Sequence, residues 1–121
     1  MRHCLVVDDS EVIRTVARHI LETMNFEVSE AANGRDGVDR CLERMPDAIL
    51  LDWQMPGMSG LEFLGALRLA TSGDRPHVIY CTTVNDLDEL SRAFLGGAND
   101  YLMKPFDRET LTAKLSAAQL M

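Results

Sequence analysis

Short apolar runs alternate along this chain with longer segments in which apolar residues recur at a helical spacing. Three runs of four consecutive apolar residues have the pattern of strands buried on both faces of a parallel sheet: 4–7, 48–51 and 78–81. Phe26 and Val28 alternate with polar neighbours and predict a less buried strand near an edge of the sheet. Residues 101–103 are a fifth candidate, so the sequence predicts five strands.

The segments between these strands carry apolar residues at the period of an α-helix. The predicted apolar stripes of the five helices are, in order, Ile13, Val16, Ala17, Ile20, Leu21 and Met24; Val38, Cys41, Leu42 and Met45; Leu61, Leu64 and Leu67; Leu87, Leu90 and Phe94; and Leu111, Leu115 and Ala118. Ser10 is the expected N-cap of the first helix, Pro46 ends the second, and the glycines at 96–97 end the fourth. Helices that alternate with parallel strands must cover both faces of the sheet, which predicts an α/β fold with a doubly wound, five-stranded parallel sheet and five helices.

The charge balance and the cysteine content limit the class of partner and the compartment. The 121 residues include 12 basic and 19 acidic side chains, a net charge of -7, and such a surface repels nucleic-acid phosphates and anionic lipids. We therefore expect neither nucleic acid nor a membrane as a direct partner. The three cysteines lie far apart, form no C-x-x-C pair and suit a reducing compartment. With no signal-peptide pattern and no apolar run of membrane-spanning length, the sequence predicts a cytoplasmic protein of one domain, residues 1–121, with no output domain.

Chemically active side chains follow four of the predicted strands. They are Asp8 and Asp9 after the first strand, Asp52 after the third, Thr82 after the fourth and Lys104 after the fifth. Because the carboxyl ends of parallel strands share one rim of the sheet, we expect these groups to lie close together. Three neighbouring carboxylates repel one another, by about 1 kcal/mol per pair in water and about 4 kcal/mol at the lower effective dielectric near a protein surface. Mg²⁺, or Mn²⁺ in its place, prefers such oxygen ligands and would offset this repulsion, so a metal site is predicted here.

The same set of groups meets the requirements of phosphoryl transfer to an aspartate. Asp52 would be the nucleophile, while the metal, the Thr82 hydroxyl and the Lys104 ammonium stabilise charge on the phosphoryl oxygens. Taken singly, each residue has a simpler structural explanation: a turn accounts for Asp8 or Asp9, and a solvated surface position accounts for Lys104. Their occurrence at the ends of successive buried strands favours the functional interpretation.

Three sequence blocks resemble the signature blocks of response-regulator receiver domains, and the match spans nearly the whole chain. The blocks are VVDDS at 6–10, LLDWQMPGMSGLEFL at 50–64 and GANDYLMKPF at 97–106. The resemblance is closest to the chemotaxis-type, stand-alone regulators of two-component signalling. It implies the flavodoxin-like strand order 2-1-3-4-5.

The resemblance also implies roles for individual residues. The implied metal ligands are the carboxylates of Asp8, Asp9 and Asp52 and the backbone carbonyl of Gln54. By the same analogy Asp52 is the phosphoacceptor, Thr82 and Tyr101 form a conformational switch, and Lys104 completes the acceptor set. The bond between Lys104 and Pro105 is expected to be cis.

Two residues after the fourth strand depart from the family pattern. Thr83 stands where the family usually has Ala or Gly, and Val84 stands where many relatives carry a polar residue that orients water. Neither departure touches the acceptor set. We expect both to affect only the rate at which phosphate is gained and lost.

The sequence therefore favours a phosphoacceptor switch that takes phosphate from a sensor histidine kinase or a histidine phosphotransfer protein. We expect a monomer that passes the signal to a downstream protein through the face formed by the fourth helix, fifth strand and fifth helix, and that catalyses only its own phosphorylation and dephosphorylation. One alternative is an aspartate-nucleophile Mg²⁺ phosphatase of the haloacid-dehalogenase type, which would need a D-x-D pattern where this chain has Asp8 and Asp9 side by side. The other is a pseudo-receiver that binds partners without phosphorylation, against which the complete acceptor set argues.

Overall fold

Five strands alternate with five helices in the structure, a computed structural model that describes residues 1–83 and 86–120. The strands are β1 (His3–Val7), β2 (Glu27–Ala31), β3 (Ala48–Asp52), β4 (His77–Thr82) and β5 (Asp100–Met103). The helices are α1 (Glu11–Thr23), α2 (Gly34–Glu43), α3 (Gly60–Leu69), α4 (Leu87–Leu95) and α5 (Arg108–Ala117). Within these described ranges, no helix combines the length and the apolar character needed to cross a bilayer.

The strands form one parallel sheet in the order β2-β1-β3-β4-β5, which confirms the predicted topology. The chain leaves β1 for β2 on one side of it and then returns to β3 on the other side. This reversal of direction opens a crevice beyond the carboxyl ends of β1 and β3. Any ligand of the sheet is expected to bind at that crevice.

Alternate residues of the buried strands divide the core into two layers. In β1, Leu5 and Val7 face the layer that contains α2, α3 and α4, whereas Cys4 and Val6 face α1 and α5. Because helices cover the sheet on both faces, β1 and β3 are buried over their whole length. The doubly wound arrangement predicted from the continuous apolar runs is confirmed.

Two predicted helix boundaries and the predicted cis peptide bond are confirmed, and one boundary is displaced. Ser10 caps α1 by accepting a hydrogen bond from the Ile13 amide at 3.3 Å, and Gly96 is the C-cap of α4. The bond before Pro105 is cis. Helix α2 ends at Glu43, two residues earlier than the predicted stripe; Arg44 is already extended, and Pro46 disfavours helical backbone at the residue before it.

Several residues of the predicted apolar stripes face solvent, so the buried face of each of these helices is narrower than the predicted stripe. The exposed members are Val16 in α1, Leu42 in α2, Leu61 in α3, and Leu87 and Phe94 in α4. The error is largest in α4, where the buried face consists of Glu89, Leu90 and Ala93. A carboxylate thus occupies a core position of α4, and the helix is rotated relative to the face that hydrophobic residues alone indicate.

Candidate functional site

The carboxyl ends of four strands bring the predicted site residues to one rim of the sheet. Asp8 directly follows β1, Asp52 is the last residue of β3, and Thr82 is the last residue of β4. Lys104 directly follows β5. Asp8 and Asp52 are 3% and 8% exposed, so both carboxyl groups lie largely out of water. Burial of two acidic groups so close together requires compensating positive charge.

Lys104 supplies part of that charge. Its ammonium nitrogen Nζ lies 2.6 Å from Asp8 Oδ2 and 3.1 Å from Asp52 Oδ1. Burial alone would lower the pKa of Lys104, but the two carboxylates outweigh burial and raise it, so the side chain stays charged. The backbone of Lys104 is fixed as well, because its amide donates to the Thr82 carbonyl at 2.8 Å.

The three aspartates form a cluster that suits a divalent cation. One carboxylate oxygen each from Asp8, Asp9 and Asp52 lie within 4.8 Å of one another. Asp9 is exposed, in contrast to the other two, and so leaves one side of the cluster open to solvent. A few carboxylates with an open side are the arrangement that a hard cation binds while keeping some of its water. The residues therefore fit a Mg²⁺ or Mn²⁺ ion.

Local hydrogen bonds hold the turn between β1 and α1 that carries Asp8 and Asp9. The Ser10 amide donates to Asp8 Oδ1 at 2.9 Å, and the Arg14 guanidinium donates to the Asp8 carbonyl at 2.7 Å. Arg14 is held in turn by Glu30 of β2, at 3.1 Å. The role of Arg14 could not be predicted from the sequence, since a basic residue on the polar side of a helix gives no signal that distinguishes a positioning role from a solvated charge.

Burial makes the Asp52 carboxyl group unusually basic. Burial is the largest effect and raises the pKa of Asp52 from its ordinary value of 3.8 to about 6. Lys104 opposes this rise, while the negative charges of Asp8 and Asp9 add to it. The ionised carboxylate is thus less stable in the folded protein than in the unfolded chain, and it attracts any added cation.

We predict that Asp52→Asn stabilises the metal-free protein at neutral pH. The protonated Asp52 carboxyl contributes stability that is fully present below pH 4 and is lost as the pH rises through about 6. The neutral amide avoids this loss. At roughly 1.4 kcal/mol per pKa unit, the variant should exceed the wild type by about 1 to 3 kcal/mol at pH 7.5 and match it near pH 4. Urea unfolding in EDTA between these pH values measures the difference, with Asp39→Asn on the exposed side of α2 as the control. A gap that does not depend on pH would contradict the prediction.

The remaining predicted residues lie at the border of this cluster. Gln54 is exposed in the loop that follows β3, and the metal-ligand role of its carbonyl stays a prediction. Thr82 is buried at the end of β4. Thr83 is exposed, and Val84 lies outside the described residues.

Tyr101 lies away from the carboxylates, on the flank of the sheet. Its side chain is 37% exposed. The Phe94 ring meets the Tyr101 ring edge-on, with centroids 6.5 Å apart, and the Lys114 ammonium lies 4.6 Å from the Tyr101 ring centroid. The structure therefore brings together Asp8, Asp9, Asp52 and Lys104, with Thr82 beside them, and places Tyr101 on the surface between α4 and α5.

Comparison with known proteins agrees with this fold. Residues 4–116 match the response regulator receiver domain. The chain therefore belongs to the family of response regulator receiver domains, which are the phosphoacceptor switches of two-component signalling. A phosphate regulon transcriptional regulatory protein, PhoB of Rhizobium meliloti, is 37% identical over 112 residues, which cover 93% of this chain and 49% of that protein. The chain thus spans about half the length of its PhoB relatives, and the expectation of a single domain stays a prediction.

Two solved structures extend the comparison to three dimensions. The chemotaxis protein CheY4 of Vibrio cholerae superimposes with a TM-score of 0.93 at 33% identity, covering 97% of this chain and 98% of that one. The receiver domain of the sensor histidine kinase PA1611 from Pseudomonas aeruginosa superimposes with a TM-score of 0.88 at 29% identity, covering 96% of this chain and 95% of that one. That receiver domain carries a magnesium ion coordinated in its active-site cleft.

Proposed function

We propose that this chain is a signalling switch that accepts a phosphoryl group on Asp52. The observation that carries the proposal is the position of Asp52, a buried carboxylate at the end of a central strand with Lys104 at 3.1 Å and two further aspartates beside it. Burial keeps the Asp52 carboxylate poorly hydrated. Because burial destabilises its negative charge and so raises its pKa, the binding of a cation that neutralises this charge is favoured. Burial and the neighbouring aspartates destabilise the ionised Asp52, so its position there does not serve the stability of the fold.

The metal site supports the same function. Asp8, Asp9 and Asp52 supply carboxylate ligands in the proposal, and the Gln54 carbonyl supplies a further one. When bound, Mg²⁺ or Mn²⁺ would neutralise charge on the acceptor and on the phosphoryl oxygens. The magnesium ion in the PA1611 receiver domain supports this choice of cation.

The transfer step follows from the positions of the chain's own side chains. A carboxylate oxygen of Asp52 forms the new bond to phosphorus, and the bond from phosphorus to the donor's imidazole nitrogen breaks, with its electron pair passing to the imidazole. Lys104 stabilises charge on a phosphoryl oxygen, and the Thr82 hydroxyl donates a hydrogen bond to another. Loss of the group is the attack of water on the same phosphorus, which breaks its bond to the Asp52 oxygen, restores the carboxylate and releases inorganic phosphate. Catalysis in this proposal is limited to the chain's own phosphorylation and dephosphorylation.

The donor is a sensor histidine kinase or a histidine phosphotransfer protein in this proposal, and the signal leaves through the surface of α4, β5 and α5. Thr82 moves toward the phosphoryl group and Tyr101 then changes its position on that surface. The exposed rings of Phe94 and Tyr101 support this surface as the binding site for a downstream protein, because aromatic residues are enriched in protein interfaces.

Incubation with acetyl phosphate tests the proposal directly. In Mg²⁺ the wild-type protein should gain one phosphoryl group, seen as a single addition in the intact mass, and in EDTA it should gain none. A protein whose mass stays unchanged at every Mg²⁺ concentration would refute the proposed function and favour a binding module without phosphorylation.

We predict that Asp9→Ala weakens Mg²⁺ binding by about tenfold or more, whereas Lys104→Ala leaves it unchanged or strengthens it. Asp9 supplies a ligand on the exposed side of the cluster, and loss of a ligand should cost at least as much as loss of a supporting residue. Lys104 instead competes with the metal for oxygens of Asp8 and Asp52. The half-buried indole of Trp53, next to Asp52, provides a fluorescence signal for the titration. The opposite ranking of the two variants would be incompatible with the ligand assignment.

A further inference from the structure

Each polar group of Asp8, in the main chain and in the side chain, has a hydrogen-bond partner. The Asp8 amide donates to the Ala31 carbonyl at 3.1 Å, and Oδ1 accepts from the Ser10 amide at 2.9 Å. Oδ2 accepts from the Lys104 ammonium at 2.6 Å. The remaining group, the Asp8 carbonyl, accepts from the Arg14 guanidinium at 2.7 Å. The first three partners hold Asp8 itself, whereas Arg14 holds the peptide group that follows it.

That peptide group joins Asp8 to Asp9. A peptide group is a rigid plane, so its orientation determines the direction in which the Asp9 side chain leaves the main chain. Asp9 is exposed, and among the residues that the structure describes, none holds its carboxylate by a hydrogen bond or an ion pair. The place of Asp9 in the aspartate cluster therefore depends on the backbone that Arg14 fixes.

Arg14 is held firmly enough to fix this backbone. Its Nε donates to Glu30 Oε1 at 3.1 Å while Nη1 reaches the Asp8 carbonyl, so the planar guanidinium joins β2 to the turn between β1 and α1. Burial alone would raise the pKa of Glu30, but Arg18 and Arg14 outweigh burial and lower it, so Glu30 is ionised at neutral pH. This half-buried carboxylate restricts the guanidinium to the orientation in which it also binds the Asp8 carbonyl.

We propose that Arg14 is a positioning residue of the metal site, which orients Asp9 as a ligand by holding the Asp8 carbonyl. The proposal rests on the proposed function, in which the three aspartates bind a divalent cation. The sign of the effect distinguishes this role from that of a simple charge. A guanidinium near a metal site repels the metal, so removal of its charge alone would tighten metal binding. Loss of a residue that positions a ligand weakens metal binding instead.

The test is a Mg²⁺ titration followed by the fluorescence of Trp53. Arg14→Met keeps the aliphatic stem without the donors, and it should bind Mg²⁺ about tenfold more weakly than the wild type. Asp9→Ala sets the upper limit of this loss, because a residue that acts through Asp9 cannot cost more than Asp9 itself. When Asp9→Ala is already present, Arg14→Met should leave the affinity unchanged or raise it by about twofold, since only the effect of charge remains.

The matched control is Arg18→Met. Arg18 lies on the same helix and binds the other oxygen of the Glu30 carboxylate, at 2.7 Å. Its removal takes away the same charge from the same ion-pair network without breaking the bond from Arg14 to the Asp8 carbonyl. Arg18→Met should therefore bind Mg²⁺ as the wild type does, or up to about twofold more tightly.

Equal or tighter Mg²⁺ binding by Arg14→Met, beside normal binding by the wild type, would overturn the positioning role and leave the proposed function standing. The same loss of affinity with and without Asp9 would also overturn it. Failure of the wild type to bind Mg²⁺ would overturn both. Should Arg14→Met not fold, as judged by circular dichroism, Arg14→Lys decides, because it keeps the charge. Its single ammonium should bind Glu30 and leave the Asp8 carbonyl, so weaker Mg²⁺ binding supports the positioning role and wild-type affinity refutes it.

Discussion

Asp52→Asn is expected to take up no phosphoryl group from acetyl phosphate at any Mg²⁺ concentration. The amide has nearly the shape of the carboxylate, but it is a poor nucleophile and carries no charge to hold the cation. The loss should be complete rather than partial, because the same residue provides both the attacking oxygen and a metal ligand. Intact mass measured after incubation with and without Mg²⁺ gives the answer.

The control for this variant is Asp39→Asn, which makes the same chemical change on the exposed side of α2 and should be labelled like the wild type. Urea unfolding of Asp52→Asn, which is expected to be more stable than the wild type at neutral pH, separates loss of the acceptor from misfolding. Labelling of Asp52→Asn at the wild-type level would place the acceptor elsewhere, with Asp8 and Asp9 as the next carboxylates to substitute.

Arg68→Met is expected to lower the free energy of unfolding by about 2 to 4 kcal/mol. The Arg68 guanidinium donates to the Gly97 carbonyl at 2.5 and 3.1 Å and to the carbonyls of Gly73 and Pro76, each at 2.9 Å. It also donates to Asn99 Oδ1 at 3.0 Å. The Arg68 side chain thus joins the end of α3 to the loop between α3 and β4 and to the loop between α4 and β5. Methionine keeps the aliphatic stem but leaves these acceptors without their donor.

Chemical unfolding monitored by circular dichroism measures the loss, and two further variants define its cause. Arg68→Lys should recover little of the stability, because a single ammonium cannot reach acceptors arranged around a planar fork. Arg40→Met on the surface of α2 breaks one exposed ion pair, to Glu43 at 3.4 Å, and should change stability by about 0.5 kcal/mol or less. A fully stable Arg68→Lys would show that charge and stem suffice and that the hydrogen-bond geometry does not matter.

The fold could be predicted from the sequence because its signals are periodic. Continuous apolar runs such as 48–51 identify strands buried on both faces, and that property alone requires helices on both sides of the sheet. The strand order could not be predicted from periodicity. It was predicted from the resemblance to receiver domains. Helix α4 is the clearest exception: of the predicted stripe Leu87, Leu90 and Phe94, only Leu90 is buried, and Glu89 takes a core position where a hydrophobic residue was expected.

The site could be predicted in part, for a geometric reason. Residues that end parallel strands must meet at one rim of the sheet, so Asp8, Asp52 and Lys104 were expected together. In the structure the Lys104 ammonium lies 2.6 Å from a carboxylate oxygen of Asp8 and 3.1 Å from one of Asp52. Side chains in the middle of elements give no such signal. Tyr80 has the character of an ordinary strand aromatic, and Glu89 has that of a solvated helix residue. Only the packing of α4 on β4 shows that the two bind each other.

The strand order also has a consequence for how the protein behaves beside copies of itself. It leaves β2 and β5 as the two open edges of the sheet, and open edges invite pairing with another chain. Both edges carry charged side chains held in ion pairs: Glu30 of β2 with Arg18 at 2.7 Å, and Asp100 of β5 with Lys114 at 3.0 Å. Fixed charges along an edge make its pairing with a second sheet costly, so these strands protect the protein against edge-to-edge aggregation.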